Sequence, residues 1–256
     1  MNSNTDFRIK KKYGQHFLTN ENIANKIVQH LDFQNHQQIF EIGPGTGVLS
    51  KYLIKKCDPI LIEIDEEAVD YLKKNIPEIK KIILADFLKI NLNQYLKKSN
   101  AIIGNFPYNI STQILFKVLE NKDLIQTVIG MFQKEVAERI CSKPNNKKYG
   151  ITSVLIQAYY NCKIIINVSK ESFAPPPNVE SSVIELRRNS TKTLTCNEQE
   201  FIKIVKLSFN QRRKKIRNSL KTLFFYSNKS TKYLMEKRPE ELNVNDFILL
   251  TNNIIN

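Results

Sequence analysis

Apolar residues recur along the chain in two rhythms, and the switch between them predicts most of its elements. Ile23, Ile27 and Leu31 stand four apart and predict a helix over 20–31. Compact apolar runs then predict strands at 38–42, 59–65, 81–85, 101–104 and 127–132. Helical stretches separate them, ending near Lys56 and covering 66–74, 111–120 and 133–140, with Ser111 expected as an N-cap. Ile151 to Val168 reads as one or two long apolar strands. Ser181 to Leu186 reads as a last strand, an antiparallel hairpin partner of the one before it. Repeated strand–helix alternation over 38–188 predicts an α/β, doubly wound, mostly parallel sheet.

From Arg187 the pattern changes to a polar linker and then to helices only, which puts a domain boundary near residue 190. Residues 1–189 are expected to form the sheet domain and 190–256 a small all-α domain. Phe201, Ile204, Val205 and Ser208 share one helix face, and the tail from Glu240 to Ile255 holds one more short apolar helix. Between sheet and linker, Ser172 to Glu180 carries three prolines, so it is a stiff loop that can be neither helix nor central strand.

Chemistry gathers at the ends of the predicted strands. The first runs into Gly43-Pro44-Gly45-Thr46-Gly47, where glycines let backbone approach a ligand. The spacing is not that of the pyrophosphate-binding dinucleotide fingerprint, and Glu41 before the turn suits an ammonium group better than phosphates. The second strand ends in acids, Glu63 and Asp65, about 20 residues beyond the first glycine, where open α/β nucleoside sites place a carboxylate for the ribose hydroxyls. The third ends at Asp86-Phe87, an acceptor for an exocyclic amine beside an apolar wall for a purine. The fourth delivers Asn105-Phe106-Pro107-Tyr108. A ribose-binding carboxylate, an acid at the glycine turn and no phosphate-binding lysine fit S-adenosylmethionine. Methyl transfer from its sulfonium requires a nucleophile lone pair in line with the methyl carbon. An adenine amine is a poor nucleophile; the Asn105 side-chain oxygen and the Pro107 carbonyl can take its two N–H bonds while Tyr108 stacks on the base.

Charge points to a polyanionic partner. The formal net charge is +14, from 39 Lys and Arg against 25 Asp and Glu. A bias toward Lys, Asn and Ile from A+T-rich coding would produce some of this excess, so clustering decides. Arg212, Arg213, Lys214, Lys215 and Arg217 supply five cations within six residues, with no opposing acids nearby in sequence; phosphate contact is the expected role, against a merely solvated face. Lys10 to Leu18 is basic, then aromatic, and is expected to fold back on a core or a ligand. The four cysteines are widely spaced without a C-x-x-C pair, so no metal site is expected. Met1 to Lys12 lacks a signal-peptide core and no stretch is long and apolar enough to span a bilayer, which predicts a cytoplasmic protein with no membrane partner.

Six segments, Tyr-Gly-Gln-His-Phe-Leu (13–18), Glu-Ile-Gly-Pro-Gly-Thr-Gly (41–47), Asn-Phe-Pro-Tyr-Asn-Ile-Ser-Thr (105–112), Gln-Lys-Glu-Val-Ala-Glu-Arg (133–139), Phe-Ala-Pro-Pro-Pro-Asn-Val-Glu-Ser (173–181) and Phe-Asn-Gln-Arg-Arg-Lys-Lys-Ile-Arg-Asn-Ser-Leu (209–220), resemble the bacterial KsgA (RsmA) family of small-subunit ribosomal RNA adenine N6,N6-dimethyltransferases. The resemblance covers nearly the whole chain and implies a class I methyltransferase, Rossmann-like fold. It implies that S-adenosylmethionine is held by His16, Leu18, Gly43, Gly45, Glu63, Asp86 and Asn105, with Asn105, Pro107 and Tyr108 at the reaction. It implies two adjacent adenosines in the 3′-terminal hairpin of 16S rRNA as targets, a monomer, a part in small-subunit biogenesis, and RNA contacts from Phe173 and the cation cluster. This chain departs from the family's usual pattern at His16, often Asn; at Phe106, usually Leu; and at Asn178, frequently Lys. Two rival readings are a 23S rRNA adenine methyltransferase of the antibiotic-resistance (Erm) type and a non-catalytic RNA-binding assembly or transcription factor. The proline triplet and the arginine cluster oppose the first, and the intact glycine, acid and tetrad set opposes the second.

Overall fold

A computed structural model describes residues 16–255. The segment Lys10 to Gln15, expected to fold back on a core or ligand, lies outside the described residues. In chain order the elements are β1 (Phe17–Leu18), α1 (Glu21–Gln29), β2 (Gln38–Ile42), α2 (Ser50–Leu53), β3 (Ile60–Glu63), α3 (Glu66–Asn75), β4 (Lys81–Leu84), β5 (Asn100–Asn105), α4 (Ser111–Glu120), β6 (Ile125–Gln133) and α5 (Lys134–Cys141). There follow α6 (Ile151–Gln157), β7 (Tyr160–Val168), β8 (Phe173–Ala174), β9 (Ser181–Arg188), α7 (Glu198–Asn210), α8 (Ile216–Ser219), β10 (Phe224–Phe225), α9 (Lys229–Met235), α10 (Val244–Asn252) and β11 (Ile254–Ile255).

Seven strands form one sheet in the order β4-β3-β2-β5-β6-β9-β7. From β4 to β6 neighbours run parallel, and β9 runs antiparallel to β6. The apolar runs of β2, β3, β5 and β6 are buried almost throughout, as central parallel strands covered on both faces must be. The chain steps from β2 outward to β3 and β4, then returns to β5 on the other side of β2. That reversal opens a crevice beyond the carboxyl ends of β2 and β5, the position where open α/β sheets bind ligands. Asn20 and Asp65 cap α1 and α3 by accepting from the backbone N–H of Ile23 and Glu67.

Several elements differ from their sequence expectations. The helix after the glycine turn is a single turn, Ser50–Leu53. Ser111 is the first residue of α4 rather than its cap, which is Ile110, and its hydroxyl donates back to the Tyr108 carbonyl at 3.2 Å. Residues 151–157, expected as strand, form helix α6. Gly150 N–H donates to the Ser153 hydroxyl, and the Gln157 amide donates to the carbonyls of Ile140 and Ser142, so polar side chains satisfy the backbone around this buried apolar run.

The chain divides into two compact units: residues up to 137 with 163–188, and residues 138–162 with 189–256. The segment 138–162, which the alternation assigns to the sheet domain, thus groups with the C-terminal helices, while the chain leaves the sheet unit at Arg188. In the sheet unit, Leu18, Ala24, Ile27, Leu53, Ile103, Ile129 and Val183 belong to one continuous core. In the second unit, Phe201, Ile204, Val205 and Ser208 are buried on α7 as their spacing predicts, and Phe209 meets Tyr149 and Phe247 at 6.1 and 6.0 Å between rings. This unit also contains an antiparallel ribbon of β10 and β11, which an all-α expectation omits. No helix among the described residues is long and apolar enough to cross a membrane.

Candidate active site

An open cleft lies at the strand ends of the sheet unit, and the tips of β2, β3, β4 and β5 supply its walls. It is lined by His16, Gly43, Gly45, Glu63, Asp86, Asn105, Pro107 and Tyr108 among others, so residues from His16 to Ile110 converge on one space. The three glycines of the turn all have positive φ, yet they serve different neighbours. A Cβ on Gly43 would face the cleft, with only Pro107 Cδ near it, at 3.9 Å. A Cβ on Gly45 would strike the Phe17 ring at 2.5 Å, and one on Gly47 would strike Ile76 and Leu72 of α3 at 2.4 and 2.8 Å. Gly43 therefore leaves room for a ligand, and the other two leave room for packing.

Glu63 sits at the tip of β3, 5 % exposed. One carboxylate oxygen accepts from Gly45 N–H at 3.1 Å and the other from Ile64 and Asp65 N–H at 2.8 and 3.0 Å. Burial raises its pKa and these bonds oppose the rise, so three donors fix the carboxylate on the cleft wall while a lone pair of Oε2 remains open to a hydroxyl. Asp86 accepts from Leu88 N–H at 2.9 Å and has the Lys89 ammonium at 3.7 Å. Phe87 is buried beside it. Behind this wall, Lys117 of α4 donates to the carbonyls of Leu88 and Ile90 at 2.8 and 2.6 Å and lies 5.7 Å from the Phe87 ring centre. Sequence reading missed Lys117, because its partners lie more than two dozen positions upstream.

At the tip of β5 the Asn105 amide nitrogen donates to the His16 carbonyl at 2.7 Å, which leaves its Oδ1 as the acceptor end. The Pro107 carbonyl accepts from Ile110 N–H at 3.1 Å and keeps its second lone pair. The Tyr108 hydroxyl shares a 2.5 Å hydrogen bond with Ser181, and its ring stacks on His16 at 5.6 Å, 25° between planes. His16 is in turn held through Nδ1 to the Pro175 carbonyl at 2.9 Å, so the proline-rich loop bears on the cleft.

Four expectations change. Glu41 does not line the cleft; it is 1 % exposed, takes the Ser50 hydroxyl at 2.6 Å, and burial pushes its pKa up to about 8. Phe173, expected to face RNA, is 4 % exposed and packs in the core with Leu18, its partner across β1 and β8. Leu18 is itself buried and absent from the cleft lining. The cation cluster, expected to lack opposing acids, has them: Lys215 and Arg217 both pair with Glu236, and Arg212 lies 3.7 Å from Glu240. Arg213 and Lys214 are exposed, with no carboxylate in ion-pair range among the described residues.

Comparison with known proteins meets this geometry. The sequence profile of the family described as ribosomal RNA adenine dimethylase matches residues 6–255. Ribosomal RNA small subunit methyltransferase A of Flavobacterium johnsoniae is 51% identical over 250 residues, covering 96% of each chain, and that of Cytophaga hutchinsonii is 48% identical with 96% of each chain covered. A dimethyladenosine transferase from Plasmodium falciparum superposes with a TM-score of 0.80 at 25% identity, over 93% of this chain and 99% of that one. The 23S rRNA methyltransferase ErmE shares the fold, with a TM-score of 0.71 over 93% of this chain and 100% of its own, but at 21% identity it is the more distant relative. The match to nearly the full chain, which includes the cleft-lining residues and the Asn-Phe-Pro-Tyr tip, shows that it belongs to the ribosomal RNA adenine dimethylase family, enzymes that take methyl groups from S-adenosylmethionine.

Proposed function

We propose that the chain dimethylates N6 of two adjacent adenosines in the 3′-terminal hairpin of 16S rRNA, in the small ribosomal subunit, as a step of subunit biogenesis. The observation that carries this reading is the tip of β5. There Asn105, tied through its amide nitrogen to the His16 backbone, presents an acceptor beside the Pro107 carbonyl on the wall of the cleft. The small-subunit target is supported by the names of relatives sharing about half of the sequence. The reading needs no metal, one copy of the chain, and a cytoplasmic setting.

The cleft fits the cofactor, since Gly43 leaves space that a side chain would fill and Glu63 holds a fixed carboxylate for vicinal hydroxyls. Gly43, Glu63, Asp86 and Asn105 would hold S-adenosylmethionine, with His16 supporting Asn105 through its carbonyl. When bound, that cofactor supplies an electrophilic methyl carbon. Asn105 Oδ1 and the Pro107 carbonyl accept the two N–H bonds of the adenine amine and turn its lone pair out of conjugation with the ring. Neither oxygen is a base near neutral pH, so both act by orientation, and the amine proton leaves to water once the nitrogen has become cationic. Tyr108, fixed by Ser181 and backed by His16, forms the aromatic wall for the base. Arg213 and Lys214 are the exposed cations assigned to RNA phosphate, with Arg212, Lys215 and Arg217 able to join by exchanging their acids.

The test is methyl transfer from labelled S-adenosylmethionine to purified small subunits that lack the modification, with the modified nucleotides mapped. Dimethyladenosine at two adjacent positions of the terminal hairpin is the expected product. Methylation confined to large subunits or DNA would overturn the assignment.

A further inference from the structure

We propose that Phe106 is a positioning residue for methyl transfer: its ring is a peg seated in a socket made by two cross-strand glycines, and the peg sets the Asn105 and Pro107 acceptors. This rests on the roles given to those two acceptors above. Gly104 of β5 and Gly130 of β6 face each other in the parallel ladder. Neither has the positive φ of the turn glycines, so backbone conformation does not require them. Space does: at Gly104 a Cβ would meet the Ile42 carbonyl oxygen at 2.5 Å as well as the Phe106 ring, and at Gly130 it would meet side chains alone. A Cβ on Gly130 would lie 2.4 and 2.9 Å from Phe106 Cε2 and Cδ2, and a Cβ on Gly104 would lie 2.8 and 3.0 Å from Cε1 and Cδ1. One edge of the ring therefore rests on each glycine. Phe132 closes the socket, edge-on with ring centres 5.3 Å apart at 86°. The ring is 1 % exposed although Phe106 borders the cleft.

The position of this peg in the chain gives it consequence. Asn105 precedes Phe106 and Pro107 follows it, so a ring that cannot shift or tilt fixes the Cα between the two acceptors. A bulky ring where the resembled family usually has Leu thus belongs with a bare ladder position opposite, since any side chain at 130 would push the ring and the tip with it. The ring is buried, so the peg acts through its neighbours.

A rescue experiment separates this role from ordinary core packing. Gly130→Ala is expected to lower kcat on small subunits by about tenfold to a hundredfold, the scale of a displacement near 1 Å at a reacting centre, while the Kd for S-adenosylhomocysteine, held also by Gly43, Glu63 and Asp86, rises by clearly less than kcat falls. Phe106→Leu removes Cε2, the ring atom in closest collision at 2.4 Å, and leaves a smaller branched side chain that can turn away, so the double variant Phe106→Leu/Gly130→Ala should recover most of kcat. The added methyl would also approach Phe132 Cε2 at 2.7 Å, so Phe132→Leu/Gly130→Ala is the control, and it should not recover. A Phe106 double no faster than Gly130→Ala, or equal rescue through Phe132, would overturn the proposal. If Gly130→Ala does not accumulate as folded protein, Phe106→Ala is compared with Phe132→Ala. The first should lower kcat well beyond any change in S-adenosylhomocysteine affinity, and the second, which removes one wall while the ring keeps its two glycines, should lower Tm with a much smaller loss of kcat; equal kcat losses, or none for Phe106→Ala, would refute it. Wild-type turnover in the same assay tests the enzyme assignment separately.

Discussion

Glu41 makes the fold's stability depend on pH in a direction opposite to that of most paired carboxylates. Its carboxyl is buried in β2, and desolvation pushes its pKa to about 8 against an ordinary 4.5, with the Ser50 hydroxyl opposing and Glu63 adding to the rise. In the unfolded chain the group ionises near 4.5; in the folded chain it keeps its proton until about 8. Between those values the folded state binds the extra proton, so stability is full at acid pH and falls as pH rises through the window. At roughly 1.4 kcal/mol per pH unit, the loss by pH 7.5 is about 4 kcal/mol, a large share of a typical folding free energy. Glu63, also raised by burial, adds to the same slope. Glu41→Gln keeps the shape and an acceptor for Ser50 while removing the titration. The chain has no Trp, so urea unfolding is followed by far-UV circular dichroism, at pH 5 and pH 7.5. Wild type should lose several kcal/mol between the two, and Glu41→Gln should lose about 3 kcal/mol less, because the unfolded group is already largely ionised at pH 5. Parallel pH slopes for the two proteins would show that Glu41 is ionised in the folded state and refute the reasoning.

Three further outcomes follow from the site. Asn105→Ala removes an acceptor from the reacting amine and should lower kcat by about 10² to 10³ while S-adenosylhomocysteine binding stays measurable by calorimetry; retained turnover would contradict the orientation mechanism. Lys117→Met removes two hydrogen bonds behind the Asp86-Phe87 wall and should weaken S-adenosylhomocysteine binding about tenfold with little change in kcat at saturation, so a kcat loss at unchanged affinity would place Lys117 elsewhere in the mechanism. Replacing Arg213 and Lys214 with Ala should reduce the magnitude of the log Kd against log salt slope for RNA by about 2, whereas the same change at Lys215 and Arg217, already paired with Glu236, should reduce it less; equal effects would mean those ion pairs break on binding.

What the sequence made legible was the geometry that short spans determine. Strand–helix alternation and the position of glycines and acids after apolar runs are local patterns, and they located Gly43, Glu63, Asp86 and Asn105 around one cleft. What was not legible depends mostly on partners far away in the chain. Gly45 and Gly47 are needed for Phe17 and for Leu72 and Ile76, contacts that no local spacing encodes. Glu41 looked like a ligand group because its neighbours in sequence form the turn, but its fate is decided by whether β2 is covered at that point. Phe173 sits among prolines and reads as exposed, yet the strand it pairs with begins at Phe17. The run 151–157 is apolar enough for either a central strand or a buried helix, and polar bonds from Ser153 and Gln157 accompany the helix. Charge follows the same rule most sharply. Five cations in six residues define a patch only if no acid folds onto them, and Glu236 and Glu240 do so for three of the five. The strength of an electrostatic footprint is therefore a property of the tertiary fold, and here it concentrates on Arg213 and Lys214 rather than on the whole run.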